Sequence, residues 1–182
     1  MTDFSKYNLT PSAKDALMKA QECASKYGHL KVIDIHLLYS ILTYDHVNID
    51  FCMEICGWIK PAFRKMLILI LKKYKEPRRK KKIFAPEIFE ILDAAQKISN
   101  KNKDDYIGLD HIVCAILIGR KMIRTFFQGL KCEVDEFCDL LLSTIKNGID
   151  YSLEPPPMVG AAPTNPNATK AKQKLEDWCE NI

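Results

Sequence analysis

Apolar residues return at every third or fourth position through most of the chain up to residue 148, the spacing of helices that bury one face. One such run opens at Thr10-Pro11 and carries Ala13, Ala16, Leu17, Ala20, Ala24 and Tyr27. Another opens at Ala85-Pro86 and carries Ile88, Ile91, Leu92 and Ala95. Proline at a first helical position sacrifices nothing, because that N–H has no partner inside the helix. Thr10 is expected to cap its helix; Ala85 has no side-chain oxygen, and Glu87 and Glu90 occupy the first turn instead. Polar connections follow at 26–31 and 100–105. Second helices are predicted from near Asp34 and Asp110, either of which is suited to capping. Their apolar residues (Leu37, Leu38, Ile41; Ile112, Val113, Ile116) fall on nearly every side, which places them at the centre of their units. Short third helices are expected around 49–56 and 121–129. Fourth helices carry Phe63, Met66, Leu67 and Leu71 in one run, and Phe137, Leu141, Leu142 and Ile145 in the other.

The two runs are copies. A shift of seventy-five positions lays Pro11 on Pro86, Leu17 on Leu92, Ala20-Gln21 on Ala95-Gln96, Lys26 on Lys101, His36 on His111 and Ile41-Leu42 on Ile116-Leu117. Continued without a gap, it sets Ile55 on Leu130, Trp58 on Glu133, Ile59 on Val134 and Leu67 on Leu142. Self-similarity of this length is an architectural signal. The expected fold is all-α: two pseudo-symmetric four-helix repeats form one compact bundle, followed by a flexible tail. The divisions are 8–75 for the first repeat, 76–83 for a basic linker, 84–150 for the second repeat, 151–170 for a Pro-rich linker, and 171–182 for a tail or the start of a following module.

Composition supports helices: 47% of residues are apolar and only seven are glycine. Charge is unevenly spread. Residues 72–82 hold eight Lys or Arg and one Glu, a local +7, against +4 for the whole chain, so the remainder is mildly acidic. Residues 154–168 hold five of the nine prolines. The seven cysteines include no C-x-x-C pair, the first residues lack the apolar core of a secretory signal, and no apolar run is long enough to span a bilayer. Buried free thiols in a reducing cytoplasm are the expectation.

In the first copy LTPSAKDALMKAQECA leads to HLKVIDIHLLYSIL; in the second FAPEIFEILDAAQKIS leads to DDYIGLDHIVCAIL. Over roughly residues 8–148 this pattern resembles the N-terminal domain of Clp (Hsp100) unfoldases, with its F-T-P-x-A opening, L-x-x-A-Q segment and Y-I-G-T-E-H-L-L-like turn. The resemblance implies a domain that receives substrate or adaptor proteins for a hexameric AAA+ ring, whose modules belong to the same or a partner chain. No G-x-x-x-x-G-K-[ST] loop occurs, so no ATP hydrolysis is expected of these residues. The ending at Ile182 suits a fragment of a longer unfoldase; a free-standing relative is the alternative.

Some Clp N-domains recognise phosphorylated arginine through an acidic residue just before each repeat's histidine. Asp110 stands there in the second copy, one methylene shorter than the usual glutamate. The first copy has Ile35, with Asp34 one position early; Asp34 and Leu109 replace the family's threonine. A carboxylate is what a guanidinium pairs with, so Asp110 and Asp34 are candidate substrate- or adaptor-binding residues, with helix capping as the competing reading. Asp104 and Asp105, in the preceding polar connection, join them. Trp58 is a candidate hot spot if exposed and a packing residue if buried. Arg78, Arg79 and Lys80 are candidate contacts for an acidic partner; a nucleic-acid-binding protein using residues 72–82 is the alternative function, although no aromatic is interleaved between Arg78 and Lys82. His36 and His111 read as helix-start histidines. His111 with Cys114 is half a zinc site, but the helix-start reading of His111 is favoured; Cys52 with Cys56 is a further pair, for which core packing is the favoured reading. No cofactor, metal or membrane partner is expected.

Overall fold

The computed structural model describes residues 4–74 and 83–146, so the strap residues 75–82, the Pro-rich linker and the tail lie outside the described residues. Its element order is α1 (Pro11–Lys26), β1 (Lys31–Val32), α2 (Asp34–Ile41), α3 (Val47–Ile55), α4 (Lys60–Lys73), β2 (Ile83–Phe84), α5 (Pro86–Asn102), α6 (Leu109–Gly119), α7 (Lys121–Gly129) and α8 (Val134–Lys146). Four helices therefore belong to each copy.

Local chemistry explains most boundaries. Thr10 Oγ1 accepts from the Ala13 N–H at 3.2 Å, and Pro11 follows at the first helical position. Ala85 offers no such cap. Both copies leave their first helix through the same left-handed turn, at Gly28 (φ 73°) and at Lys103 (φ 66°). The His29 N–H then returns to the Ala24 carbonyl at 2.8 Å and the Asp104 N–H to the Ser99 carbonyl at 3.0 Å. Glycine enters this region freely; Lys103 does so at a cost of about 1 kcal/mol.

The helical core has a short β element threaded through it. β1 and β2 pair in parallel, Lys31 opposite Ile83 and Val32 opposite Phe84, and Leu9 forms an isolated bridge with Ile107. These are one arrangement seen twice: the shift of seventy-five carries Val32 to Ile107 and Leu9 to Phe84. Matching bonds run from Ala85 N–H to the Val32 carbonyl (2.9 Å) and from Thr10 N–H to the Ile107 carbonyl (3.0 Å). Each copy's leading segment is thus hydrogen-bonded to the other copy's loop, which ties the halves together through backbone groups.

α6 is buried from Leu109 through Leu117, and α2 buries Leu37, Leu38 and Ile41, as expected of central helices. Each leucine, isoleucine or valine among them contributes about 1.5–3 kcal/mol when fully withdrawn from water. An aromatic cluster closes the seam between the copies. Trp58 stacks on Phe137 with ring centres 4.3 Å apart, and Phe63 stacks on Phe127 at 4.7 Å.

The gapless register does not continue past the second helix. α3 and α7 begin at 47 and 121, and α4 and α8 at 60 and 134, a spacing of seventy-four. The cause lies in the preceding connection, where Arg120 alone separates α6 from α7 while residues 42–46 separate α2 from α3. The left-handed turns Gly57 and Lys131 keep the same spacing. Trp58 therefore corresponds to Cys132 rather than Glu133, and Phe63 falls on Phe137.

Candidate docking site between the repeats

The site is built from the starts of α2 and α6. Neither aspartate caps its helix: Ile33 and Gly108 occupy the N-cap positions, which puts Asp34 and Asp110 inside the first turn. The matched histidines take part in the capping instead. His36 Nδ1 accepts from the Ile33 N–H at 3.0 Å, and His111 Nδ1 from the Gly108 N–H at 3.1 Å. An accepting Nδ1 leaves the proton of a neutral ring on Nε2. In the first copy that proton is donated to His29 Nδ1 (2.8 Å), whose own Nε2–H is donated to the Tyr74 carbonyl (3.1 Å). In the second copy it is donated to Asp104 Oδ2 at 3.0 Å. With both ring nitrogens engaged, neither histidine is available as a general base or metal ligand. Among the described residues no group of three or more His, Cys, Asp or Glu is placed to hold a metal ion.

The two aspartates face across the seam. Asp34 Oδ2 accepts from Arg120 Nε at 2.8 Å, and Arg120 also donates to Glu90 at 3.2 Å. Asp110 Oδ1 lies 3.4 Å from His46 Nδ1. In the corrected register His46 and Arg120 are equivalent positions, each just ahead of its copy's third helix. An acid at the start of one copy's second helix thus meets the cation position preceding the other copy's third helix, and does so in both directions.

The two contacts differ in quality. Asp34 and Arg120 form a short, charge-assisted hydrogen bond. Asp110 Oδ1 makes no hydrogen bond despite the ion-pair distance, so the contact with His46 is electrostatic and poorly aligned. His46 Nδ1 also faces the Ile49 N–H at 3.5 Å, where it acts as a long helix cap, and one nitrogen cannot both accept there and donate to Asp110. Burial pushes the Asp110 carboxyl above its ordinary value, against the opposing pull of His46, His111 and a hydrogen bond from Asn48. The side chain is only 12% exposed.

The other candidates are spread out. Asp104 serves His111, and Asp105 is exposed, its backbone carbonyl bonded to Asn8 Nδ2 at 2.5 Å. Of the two readings for Trp58, the structure has burial: it is 6% exposed among Phe63, Phe127 and Phe137, and so is no surface hot spot. Lys72 and Lys73 are exposed at the end of α4, while Arg78, Arg79 and Lys80 lie outside the described residues. Sequence reading passed over His46, Arg120 and Glu90. The one-residue gap that pairs His46 with Arg120 shows only once the helix starts are known, so the sequence alone carried no clear signal for them.

Cys114 is buried against Cys138, and that contact and burial push its thiol upward. Burial pushes Cys23, Cys52 and Cys56 up to about 11 and Cys132 up to about 12. With so little thiolate, these five are expected to react with iodoacetamide at pH about 8 at least roughly a hundredfold more slowly than a free thiol. Residue-resolved mass spectrometry checks this; labelling at the free-thiol rate without denaturant refutes it.

Comparison with known proteins gives consistent matches. The family model of the Clp repeat (R) N-terminal domain matches residues 8–130. Chaperone protein ClpB of Porphyromonas gingivalis is 26% identical over 121 residues, which are 66% of this chain and 14% of that protein, so the chain spans a small part of its relative's length. The Hsp104 N-terminal domain of Candida albicans has the same fold, with a TM-score of 0.65 at 19% identity, over 76% of this chain and 91% of that one. The N-domain of ClpV from Vibrio cholerae matches with a TM-score of 0.61 at 17% identity, over 75% and 86%.

Proposed function

The chain belongs to the Clp repeat (R) N-terminal domain family, and from that premise we propose that it docks substrate or adaptor proteins for a Clp-type AAA+ unfoldase and is itself non-catalytic. The observation that supports this is the under-bonded, buried carboxylate of Asp110 where the two repeats meet. A cargo guanidinium, of arginine or of phosphoarginine, would take the place His46 holds, and its N–H groups would supply the aligned hydrogen bonds that the imidazole does not. The Asp34 position is the weaker host, because Arg120 already satisfies it. Delivery follows from tethering, which raises the local concentration of cargo beside the ring. No helix of the described residues is long and apolar enough to cross a membrane, and cytoplasmic action is part of the proposal. The nucleic-acid alternative uses the basic segment 72–82, of which residues 75–82 lie outside the described residues.

The test is anisotropy with labelled phosphoarginine peptides. Asp110→Asn is expected to weaken binding at least about tenfold, the scale of one lost charge-assisted contact. Equal affinity for the two proteins overturns the site. The same variant has a stability signature. A carboxyl raised in the folded state costs stability once ionised, so stability falls as pH rises from the ordinary carboxylate value through the raised one. Asp110→Asn removes that cost. Its Tm is expected to equal or exceed that of the parent at pH about 7, and the gap to close on acidification through the raised value.

A further inference from the structure

The leading segment, residues 4–10, packs against the second copy. Tyr7 donates its hydroxyl proton to Asp93 Oδ1 at 2.7 Å, and Phe4 packs edge-on against Phe84 at 4.9 Å and stacks with Phe89 at 5.7 Å. Between this segment, α1 and β2 a cavity of about 600 Å³ remains, within the range of about 300–1,000 Å³ typical of ligand pockets. Phe4, Leu17, Met18 and Phe84 supply its apolar lining, and Met18 is 61% exposed. A large exposed methionine is adaptable enough to receive varied apolar side chains.

Charge at this groove has one sign. Among the described residues that line it two are lysines, Lys6 and Lys14, and none is acidic. The nearby carboxylates are committed elsewhere, Asp93 to Tyr7 and Lys6, and Asp15 to Tyr44 and Lys19. Lys14 makes no ion pair among the described residues and is exposed. One unpaired ammonium beside an apolar cavity is too little charge to hold a nucleic-acid backbone, which requires several phosphates neutralised together. It is well matched to a single carboxylate next to a large apolar side chain.

We propose that this groove docks an extended segment of another protein that places an aromatic or long aliphatic side chain against Met18 and an adjacent carboxylate on Lys14. Asp110 is not among the residues that line the groove, and the proposal shares with the function proposed above only the premise that the domain docks proteins.

The test is anisotropy on the full chain with a labelled peptide carrying one phenylalanine flanked by glutamates. Two control peptides have alanine for the phenylalanine or lysines for the glutamates. The acidic phenylalanine peptide is expected to bind best, and Met18→Glu to abolish its binding. Lys14→Glu is expected to weaken it up to about fivefold, the size of an exposed ion pair, and to strengthen the lysine-flanked peptide by a similar factor. Both residues are exposed, so the variants keep the fold, and Asp110→Asn leaves these affinities unchanged. Equal binding of the three peptides, or indifference to Lys14→Glu, overturns the proposal. So does binding that appears only in a Trp178→Ala chain, which would make residues 175–182, with Glu176, Asp177 and Glu180 around that tryptophan, the groove's occupant.

Discussion

Trp58→Ala is expected to lower unfolding stability by about 3–5 kcal/mol, the range for removing a buried aromatic ring. The ring is 6% exposed, stacks on Phe137 with planes 12° apart, and lies 5.2 Å from Phe127 and 5.6 Å from Phe63. Two of these four rings come from each copy, so the deletion opens the joint between the repeats rather than the interior of one. A small void of about 10 Å³ already borders Trp58, Leu38, Val113 and Phe137, and helices on both sides limit collapse into the new space. Trp58→Phe keeps the stack and is expected to cost about 1–2 kcal/mol, the lost area plus part of an aromatic pair worth about 0.5–1.5 kcal/mol. Because domains have about 5–15 kcal/mol in total, the alanine variant should unfold at markedly lower urea concentration. Circular dichroism is the suitable probe, since the substitution removes one of two tryptophans. A loss below about 1 kcal/mol would mean that Trp58 does not join the repeats. A cycle with Phe137→Ala should show coupling, as residues in direct contact do.

The same tryptophan shows where reading from sequence stops. Helical periodicity and the shift of seventy-five are carried by many residues at once, so the eight helices and their pairing were legible; a single-residue deletion beyond residue 42 was not. In that stretch apolar residues are dense enough that Leu67 meets a leucine at either spacing, Leu141 or Leu142. The helix starts and the left-handed turns at Gly57 and Lys131 fix the register, and a lysine gives no composition signal for such a turn. The exchanged strands were hidden for another reason. Two-residue strands have no alternation to detect, and the bonds of Val32 and Ile107 are made to distant parts of the chain.

The site was half legible. Asp34 and Asp110 could be found from their place before the matched histidines, but not their state. Arg120 is 86 residues from Asp34 in the chain, and pairing over that distance follows from the pseudo-twofold packing alone. Capping was the natural reading for an aspartate beside an apolar helix. It failed because Ile33 and Gly108 hold the N-cap positions, which leaves both acids one or two residues inside the helix; Asp34 Oδ1 still accepts the Ile35 N–H at 2.8 Å while its other oxygen faces Arg120. That outcome carries an asymmetry. One socket is closed by a guanidinium and the other only loosely by an imidazole, so duplication has supplied two positions of which one is suited to exchange.

His36→Ala is expected to cost about 3 kcal/mol or more, and the equivalent His111→Ala roughly half as much. Both changes orphan the N-cap N–H, of Ile33 in one case and Gly108 in the other. In the first copy His36 is fully buried and His29 is 5% exposed, so the deletion also strands His29 Nδ1 where water cannot reach it. Each buried polar group left without a partner costs about 1–3 kcal/mol, in addition to the cavity. In the second copy the abandoned partner is Asp104, whose side chain is 34% exposed and can be hydrated. The contrast extends to His29 itself. Aspartate occupies the corresponding position of the second repeat, yet His29→Asp should be destabilising by about 2 kcal/mol, because a carboxylate cannot donate to the Tyr74 carbonyl and would be buried facing it. An imidazole is suited to this place because it accepts on one nitrogen and donates on the other. Urea unfolding of the three variants decides the matter. Equal losses for His36→Ala and His111→Ala, or a neutral His29→Asp, would refute a chain of donors running from His36 through His29 to the end of α4.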